Sequence, residues 1–347
     1  MKLIDLFSGI GGFSLGFQRA GYHFTEHYFS EIDKHAIANY KHNFPNAKYI
    51  GDITTIRPTD LAGADIITFG SPCQDFSLAG KRAGLKGSKS SLITYAIALI
   101  ADIRPSVFIW ENVKGAFSSN ARADFWAILQ AFAKIGGYRL EWQLLNTSWL
   151  LPQNRERIYL IGHLAGRSEC GVFPIGENDF ASPQKTKSQF QAQISGTIKA
   201  NGNMNADDTY IQVGTYRTHN DGKGFREVKS NIAPTIPARA RQDGSGMPVI
   251  RQLPRGKNKE NNSLGGIRRL TEIECERLQG FPDNWTQYGN YNGTIKPIAK
   301  TQRYKLIGNA VTVDIVELMA KRLKLQNNEK TITKRTRSSR IIRVRCT

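Results

Sequence analysis

A proline–cysteine–glutamine triplet, Pro72-Cys73-Gln74, closes an apolar run through Ile66, Ile67 and Phe69. Such a run reads as a buried strand. A cysteine just past it stands at a strand's carboxyl edge, where open α/β sheets hold their ligands. A thiolate is a nucleophile, so this position suits covalent chemistry. Glu111-Asn112-Val113 follows a second apolar run, Val107–Trp110. A carboxylate at the end of a buried strand is costly unless it is paired or protonated. If the two strands are neighbours, a thiol and a protonatable acid share one pocket. Gln153-Asn154-Arg155-Glu156-Arg157 leads into a third run, Ile158–Ile161. Alternating arginines before a strand project to one side and suit a phosphate, a base carbonyl or an acidic partner. Singly, each feature has an ordinary explanation: a cysteine as core filler, a glutamate as an N-cap or salt bridge, arginines as a surface ion-pair ladder.

A glycine-rich turn adds a ligand to this chemistry. Asp5-Leu6-Phe7-Ser8-Gly9-Ile10-Gly11-Gly12 leaves one strand and enters a helix. Glycines there permit a tight turn and close backbone approach beside a helix N-terminus. Glu31 ends the second strand, where nucleotide-binding folds set a carboxylate on ribose hydroxyls. Asp52, in Gly51-Asp52-Ile53, is expected to end a third strand and to accept from an adenine amino group. Three successive strand ends thus suit an adenosine-type cofactor. Ser14 stands where a third glycine of the dinucleotide fingerprint would be, which argues against a nicotinamide dehydrogenase.

The elements that must position these groups are legible in the first 165 residues. Strand candidates are Leu3–Leu6, Tyr28–Ser30, Asp65–Phe69, Val107–Trp110, Leu140–Leu145 and Ile158–Ile161. Helical patterns lie between them, over Gly12–Ala20, Lys34–Asn43, Leu92–Ile103 and Asp124–Ile135. That alternation predicts a doubly wound, mostly parallel sheet with helices on both faces. From Gly166 to Gly266 the chain turns polar and weakly periodic, with short strand candidates at Tyr210–Val213 and Val249–Ile250. It reads as a second, smaller, irregular β-rich domain. Helical pattern returns at Thr271–Leu278, where Thr271 and Glu274 fit a capping box, and at Val313–Leu325.

Composition limits the function classes. The 347 residues suffice for one large domain or two. No apolar run approaches the ~20 residues that span a bilayer, and Met1-Lys2-Leu3-Ile4 has no signal-peptide layout. A cytoplasmic protein is expected. Cys73, Cys170, Cys275 and Cys346 lack metal-ligand spacing, so neither a disulfide framework nor a metal site is expected. The formal net charge of +19 points to a polyanionic partner, most simply nucleic acid. Part of it lies in a basic tail after Leu325, expected to be flexible and to add only nonspecific phosphate affinity.

Taken together and in order, these segments resemble the cytosine-C5 DNA methyltransferases. Asp5–Phe13 is similar to the family's cofactor motif, Pro72-Cys73-Gln74 to its catalytic motif, and Glu111-Asn112-Val113 to its acidic motif. Gln153-x-Arg155-x-Arg157 matches a further active-site motif. Arg269-Leu270-Thr271 with Glu274 and Arg277–Pro282, then Tyr304-Lys305 and Gly308-Asn309-Ala310-Val311, match the later motifs. The resemblance covers residues 1–165 and 267–325. It implies a Rossmann-like class I methyltransferase fold, S-adenosylmethionine as cofactor, and Cys73, Glu111, Arg155 and Arg157 as the catalytic set. It implies cofactor contacts from Phe7, Ile10 and the turn glycines Gly9, Gly11 and Gly12. Glu31 would lie on the ribose, with Ile32, Asp52 and Ile53 around the adenine. Pro72, Leu92, Asn309 and Val311 would complete that pocket. The loop Phe76–Lys89 would close over double-stranded DNA, with Ala79 where some relatives place a polar wedge.

The implied domains are catalytic over 1–165, target-recognising over 166–302, a returning helix over 303–325 and the tail over 326–347. A monomer is expected, with a cognate restriction endonuclease as a possible companion. Arg217, Arg226, Arg239 and Arg241 are candidates for reading DNA by charge alone. RNA methylation and a DNA-binding regulator without catalysis are the competing readings. The long polar segment favours DNA over RNA, and the intact Cys73, Glu111 and Arg157 set favours an enzyme.

Overall fold

Alternate residues of each central strand serve opposite faces of one sheet. In this computed structural model, which describes residues 1–72, 92–118, 123–176, 179, 210–216, 225–228, 232–238, 248–253 and 267–326, the chain runs as follows. It starts with β1 (Lys2–Leu6), α1 (Gly12–Arg19), β2 (Glu26–Ser30), α2 (Lys34–Asn43), β3 (Lys48–Tyr49) and β4 (Ile66–Gly70). Next come α3 (Leu92–Ile103), β5 (Val107–Val113), α4 (Lys114–Ser118), α5 (Ala123–Lys134), β6 (Tyr138–Asn146), β7 (Gln153–Asn154) and β8 (Glu156–Leu164). The main sheet has the order β3-β2-β1-β4-β5-β8-β6. Strands β1 to β5 are parallel; β8 runs antiparallel to both β5 and β6. Ile4, Ile67, Phe108 and Leu160 face α3 and α5, through Ile93, Ile100, Phe125 and Phe132. Leu3, Ile66, Ile109 and Ile161 face the other way, onto Phe13 and Phe17 of α1 and onto a C-terminal helix. The doubly wound, mostly parallel sheet is therefore present.

The C-terminal part holds β9 (Ser168–Glu169), β10 (Tyr210–Tyr216), β11 (Phe225–Glu227), β12 (Ala233–Pro234), β13 (Pro248–Leu253) and β14 (Ile267–Arg269). After them come α6 (Glu272–Leu278), β15 (Tyr288–Tyr291), β16 (Thr294–Pro297), α7 (Lys300–Asn309), α8 (Val313–Arg322) and β17 (Lys324–Leu325). Strands β11-β10-β13-β14 make a second, four-stranded sheet, antiparallel throughout. Thr271 and Glu274 form the expected capping box. The span 303–325 is not one returning helix. Arg322 ends α8, and Lys324–Leu325 pair with β9 instead. Helix α8 packs on α1, because Gly16 has no side chain. A Cβ there would stand 2.6 Å from Val316 Cβ.

Beneath the glycine turn lies a fully buried polar cluster. Thr68 Oγ1 donates to Asp5 Oδ1 at 2.9 Å, while Ser14 Oγ and Tyr40 OH donate to Oδ2, each at 3.1 Å. Burial pushes the Asp5 carboxyl up to about 7 against those hydrogen bonds, which lower it. A folded pKa above the unfolded 3.8 means stability that is present at low pH and lost as pH rises toward about 7. Asp5→Asn removes that loss. The gap in Tm, variant minus parent, should widen by roughly 2 °C or more between about pH 5 and about pH 8. A constant or shrinking gap would contradict the buried-acid assignment.

Candidate active site

The order of the main sheet reverses between β1 and β4, since β2 and β3 lie on one side of β1 and β4 and β5 on the other. Ligands bind at such a switch, outside the carboxyl ends of the strands. A cavity of about 320 Å³ lies there. It is lined by strand-end residues of β1, β2, β4 and β5, by Leu92 of α3, and by Leu306, Gly308 and Asn309 of α7. Strand β8, being antiparallel, brings its amino end and Arg157 to the same edge.

The acid is built by strand pairing. Gly70 of β4 sits opposite Glu111 of β5, so the carboxylate lies over a residue without a side chain. A Cβ at Gly70 would stand 3.1 Å from Glu111 Oε2. Arg157 Nε stands 3.0 Å from Glu111 Oε1, and both side chains are nearly buried. Burial pushes the Glu111 carboxyl above its ordinary range, while the charges of Arg157 and Arg155 and the Arg157 hydrogen bond pull it back. The result is an acid able to hold a proton while fixed in place. Arg157 Nη1 donates to the Glu156 carbonyl at 2.8 Å, which leaves Nη2 without a partner among the described residues.

Cys73 and Gln74 lie outside the described residues; the approach to them does not. Pro72 lines the cavity. Ser71, just before it, is held from β5. Trp110 Nε1 donates to Ser71 Oγ at 2.9 Å, and Asn112 Nδ2 donates to Ser71 Oγ at 3.1 Å and to its carbonyl at 3.3 Å. The roles of Gly70, Ser71 and Trp110 were not read from the sequence. Their position directly before Pro72-Cys73, and in the strand that carries the acid, was the available signal. Asn112→Ala should loosen this tie and lower kcat roughly 10- to 100-fold, since misplacement by about 1 Å can cost 10²-fold. A variant turning over at the parent rate would remove Asn112 from this role.

Arg155 does not share Arg157's surroundings. It falls in the break between β7 and β8, so the strand alternation expected from sequence does not apply. Its guanidinium is buried and donates from Nη1 to the Gly308 carbonyl at 3.2 Å and from Nη2 to the Ala310 carbonyl at 2.7 Å. It ties the end of α7 to the catalytic sheet and does not line the cavity.

The expected cofactor contacts divide in two. Phe7, Gly9, Glu31, Ile32, Asp52, Ile53, Pro72, Leu92 and Asn309 line the cavity. Ile10, Gly11, Gly12 and Val311 are buried and are not among its lining residues. Ile10 is fully buried, and its carbonyl accepts from Trp285 Nε1 at 3.0 Å. Phe7 adopts φ 49°, a left-handed conformation rare for a bulky residue, and Gly9 follows at φ 54°. Glu31 Oε2 accepts from Gly9 N at 2.9 Å; Oε1 accepts from Ile32 N at 2.7 Å and Asp33 N at 3.0 Å. A carboxylate has about four acceptor sites, so Oε2 keeps one for a ligand hydroxyl. Ile32 is apolar yet 73% exposed, a bare face suited to a planar base. Asp52 lies beyond β3 rather than ending it, because the strand stops at Tyr49. It caps a 3₁₀ turn, with Oδ1 accepting from Thr54 N at 3.0 Å.

A profile of the C-5 cytosine-specific DNA methylases matches residues 1–325. The chain belongs to that family. This methylase is 34% identical to the type II methyltransferase M1.ScrFI of Lactococcus lactis subsp. cremoris, over 93% of its own length and 77% of the relative's. It is 30% identical to M.Bsp6I of Bacillus sp. (strain RFL6), over 93% and 98%. Among solved structures, it aligns with the Entamoeba histolytica methyltransferase EhMeth at a TM-score of 0.63 and 16% identity, over 92% and 96% of the two chains. It aligns with S. pombe Dnmt2 at a TM-score of 0.59 and 17% identity, with the same coverage. Those two likenesses concern the fold. The methylase is a DNA cytosine-5-methyltransferase with the Rossmann-like fold of its family. Among the described residues, no helix is long and apolar enough to cross a membrane and no cluster of side chains has metal-ligand geometry. Cys170 and Cys275 are free thiols.

Proposed function

We propose that this methylase modifies one cytosine within a specific duplex DNA sequence, using Cys73 as nucleophile. The supporting observation is the pairing of Gly70 with Glu111. It sets the acid beside the strand that leads into Pro72-Cys73, at the mouth of the cavity. The cavity fits S-adenosylmethionine by chemistry: an acceptor for a ribose hydroxyl on Glu31, a bare apolar face on Ile32, and a carboxylate for an amine on Asp52. Phe7, Pro72, Leu92 and Asn309 complete its wall. When bound, that cofactor supplies an electrophilic methyl group for C5 of the base.

The chain's own residues do the rest. The Cys73 thiolate adds to C6 of cytosine, opening the C5–C6 double bond. Glu111 gives or shares a proton at N3 and holds the amino group, so the charge does not build on the ring. Arg157 fixes Glu111 and stabilises charge on the base carbonyl. Loss of the C5 proton then expels Cys73 and restores the ring. Stacking hides C5 and C6 in a duplex, so the cytosine is flipped out to react. Residues 1–165 form the catalytic unit, 166–302 read the target, 303–325 return to the catalytic sheet, and 326–347 add phosphate contacts. Arg226 lies on β11, paired with Thr215; Arg217, Arg239, Arg241, Ala79 and the loop Phe76–Lys89 lie outside the described residues. The enzyme acts as a monomer in the cytoplasm and protects DNA from a cognate endonuclease.

The test is transfer of tritium from labelled S-adenosylmethionine to duplex genomic DNA, with transfer RNA as a parallel acceptor. DNA labelling with a 5-fluorocytosine adduct at the target site is expected. Folded protein that labels RNA alone, or no acceptor, overturns the reading. Bisulfite sequencing of DNA from expressing cells then gives the recognition sequence.

A further inference from the structure

A second cavity, of about 380 Å³, lies at the amino end of β2, where the catalytic assignment has no use for it. Three residue steps along β2, from His27 to Ser30, separate it from the cofactor cavity, roughly 10 Å along the strand. Residues from the last turns of α1 and α2 and the loops after them enclose it. Tyr22, Phe24 and Phe44 line it, with Gln18 and Asn43. No lysine, arginine, aspartate or glutamate is among its described lining residues, in a chain of formal net charge +19. Both helices point their carboxyl ends toward it, and helix C-termini carry partial negative charge on unpaired carbonyls. Phosphates and carboxylates are disfavoured in such a place. N–H donors are favoured.

His27 gives this cavity a recognition group. It lines the cavity although only 8% exposed. Its Nε2 turns inward, 3.0 Å from Ser14 Oγ and 2.8 Å from Tyr40 OH. The two nitrogens of an imidazole diverge, so Nδ1 is directed outward to the cavity, with no partner among the described residues. The rings of Phe24 and Phe44 flank it, with centroids 5.7 Å and 5.4 Å away. Burial holds the imidazole down at about 4, so His27 is neutral and makes a directional hydrogen bond rather than an ion pair.

We propose that this cavity binds a planar, uncharged heteroaromatic amine of the aminopurine or aminopyrimidine class. The aromatic walls take its faces, and His27 Nδ1 meets its amino edge. The volume falls in the range of small-molecule sites. The ligand binds alongside the cofactor, not in its place.

Adenine is the probe, titrated into the full chain by saturation-transfer NMR with the cofactor cavity saturated by S-adenosylhomocysteine. Saturable binding is expected, with a Kd of roughly 0.1 to 1 mM for a ligand of this size. Purine, which lacks the amino group, should bind at least about threefold more weakly. Asn46→Trp, placed at an exposed lining position, fills the cavity and should abolish the signal. Phe24→Ala should weaken it about tenfold or more. Thermal unfolding of both variants close to the parent confirms that they fold. The proposal fails if adenine shows no saturable signal to about 10 mM, or if the signal vanishes when S-adenosylhomocysteine is added. It fails equally if both folded variants bind as the parent does.

Discussion

Cys73→Ser is expected to leave a protein that binds cofactor and DNA but does not turn over. Serine matches cysteine in shape, so the ties of Ser71 to Trp110 and Asn112 should not shift. What changes is acidity. A thiol ionises near pH ~8.5 and gives a potent thiolate at neutral pH, whereas a hydroxyl needs a strong base to do the same. Among the described residues at this strand edge the nearest candidate is Glu111, which burial biases toward its protonated form and which Arg157 holds. The loss of kcat should be about 10⁴-fold or more, roughly 5 kcal/mol in the barrier. Affinity for S-adenosylhomocysteine should stay within about threefold, because the described walls of the cavity, Phe7, Glu31, Ile32, Asp52, Leu92 and Asn309, are untouched by the exchange. Calorimetric titration, single-turnover tritium transfer and the fluorocytosine adduct read these outcomes separately. A serine variant that turned over within tenfold of the parent, or that still formed the adduct, would remove Cys73 from the nucleophile's role.

Fold and site differed in how much the sequence disclosed, for physical reasons. The parallel strands were legible because burial on both faces demands continuous apolar runs. Leu3-Ile4, Ile66-Ile67 and Val107-Phe108 each send one residue to either side. The neighbouring of β4 and β5, which sets the strand leading to Pro72 beside the one that carries Glu111, followed from the same runs. Tertiary choices were less visible. Arg155 and Arg157 look equivalent in sequence, yet a break after β7 sends one to the carbonyls of Gly308 and Ala310 and the other to Glu111. Asp52, in Gly51-Asp52-Ile53, is expected from sequence to end a third strand, but β3 is an edge strand that stops at Tyr49 and the carboxylate caps a turn instead. The support given by Ser71 was hidden for a different reason. Its partners lie 39 and 41 residues away in the chain, and no local pattern reports such a contact. The second sheet, β11-β10-β13-β14, is regular although the region that builds it has weak periodicity.

Glu111→Gln and Arg157→Ala should both slow the enzyme, but in ways that a pH profile separates. Glutamine keeps the shape of Glu111 and can still accept from Arg157. It has no proton to give at N3, so kcat should fall about 10²- to 10⁴-fold, the usual worth of a positioned acid. The parent should show a bell-shaped profile of kcat/KM. Its acid limb reflects the loss of the Cys73 thiolate, and its alkaline limb the loss of the Glu111 proton. In the glutamine variant the alkaline limb disappears. Arg157 acts on that limb in the opposite direction. Its charge and hydrogen bond lower the Glu111 pKa, against burial, which raises it. Removing the guanidinium leaves burial unopposed on that side, so the pKa rises and the proton is kept to higher pH. Arg157→Ala should therefore move the alkaline limb upward even as the plateau falls, since the base carbonyl loses its cation. An alkaline limb that stayed fixed, or moved down, would show that Glu111 does not set it. Because the two side chains meet at 3.0 Å, the double variant should lose less than the sum of the single losses. Once the acid is gone, Arg157 has only the carbonyl left to stabilise, and the shortfall measures how much of its effect passes through Glu111.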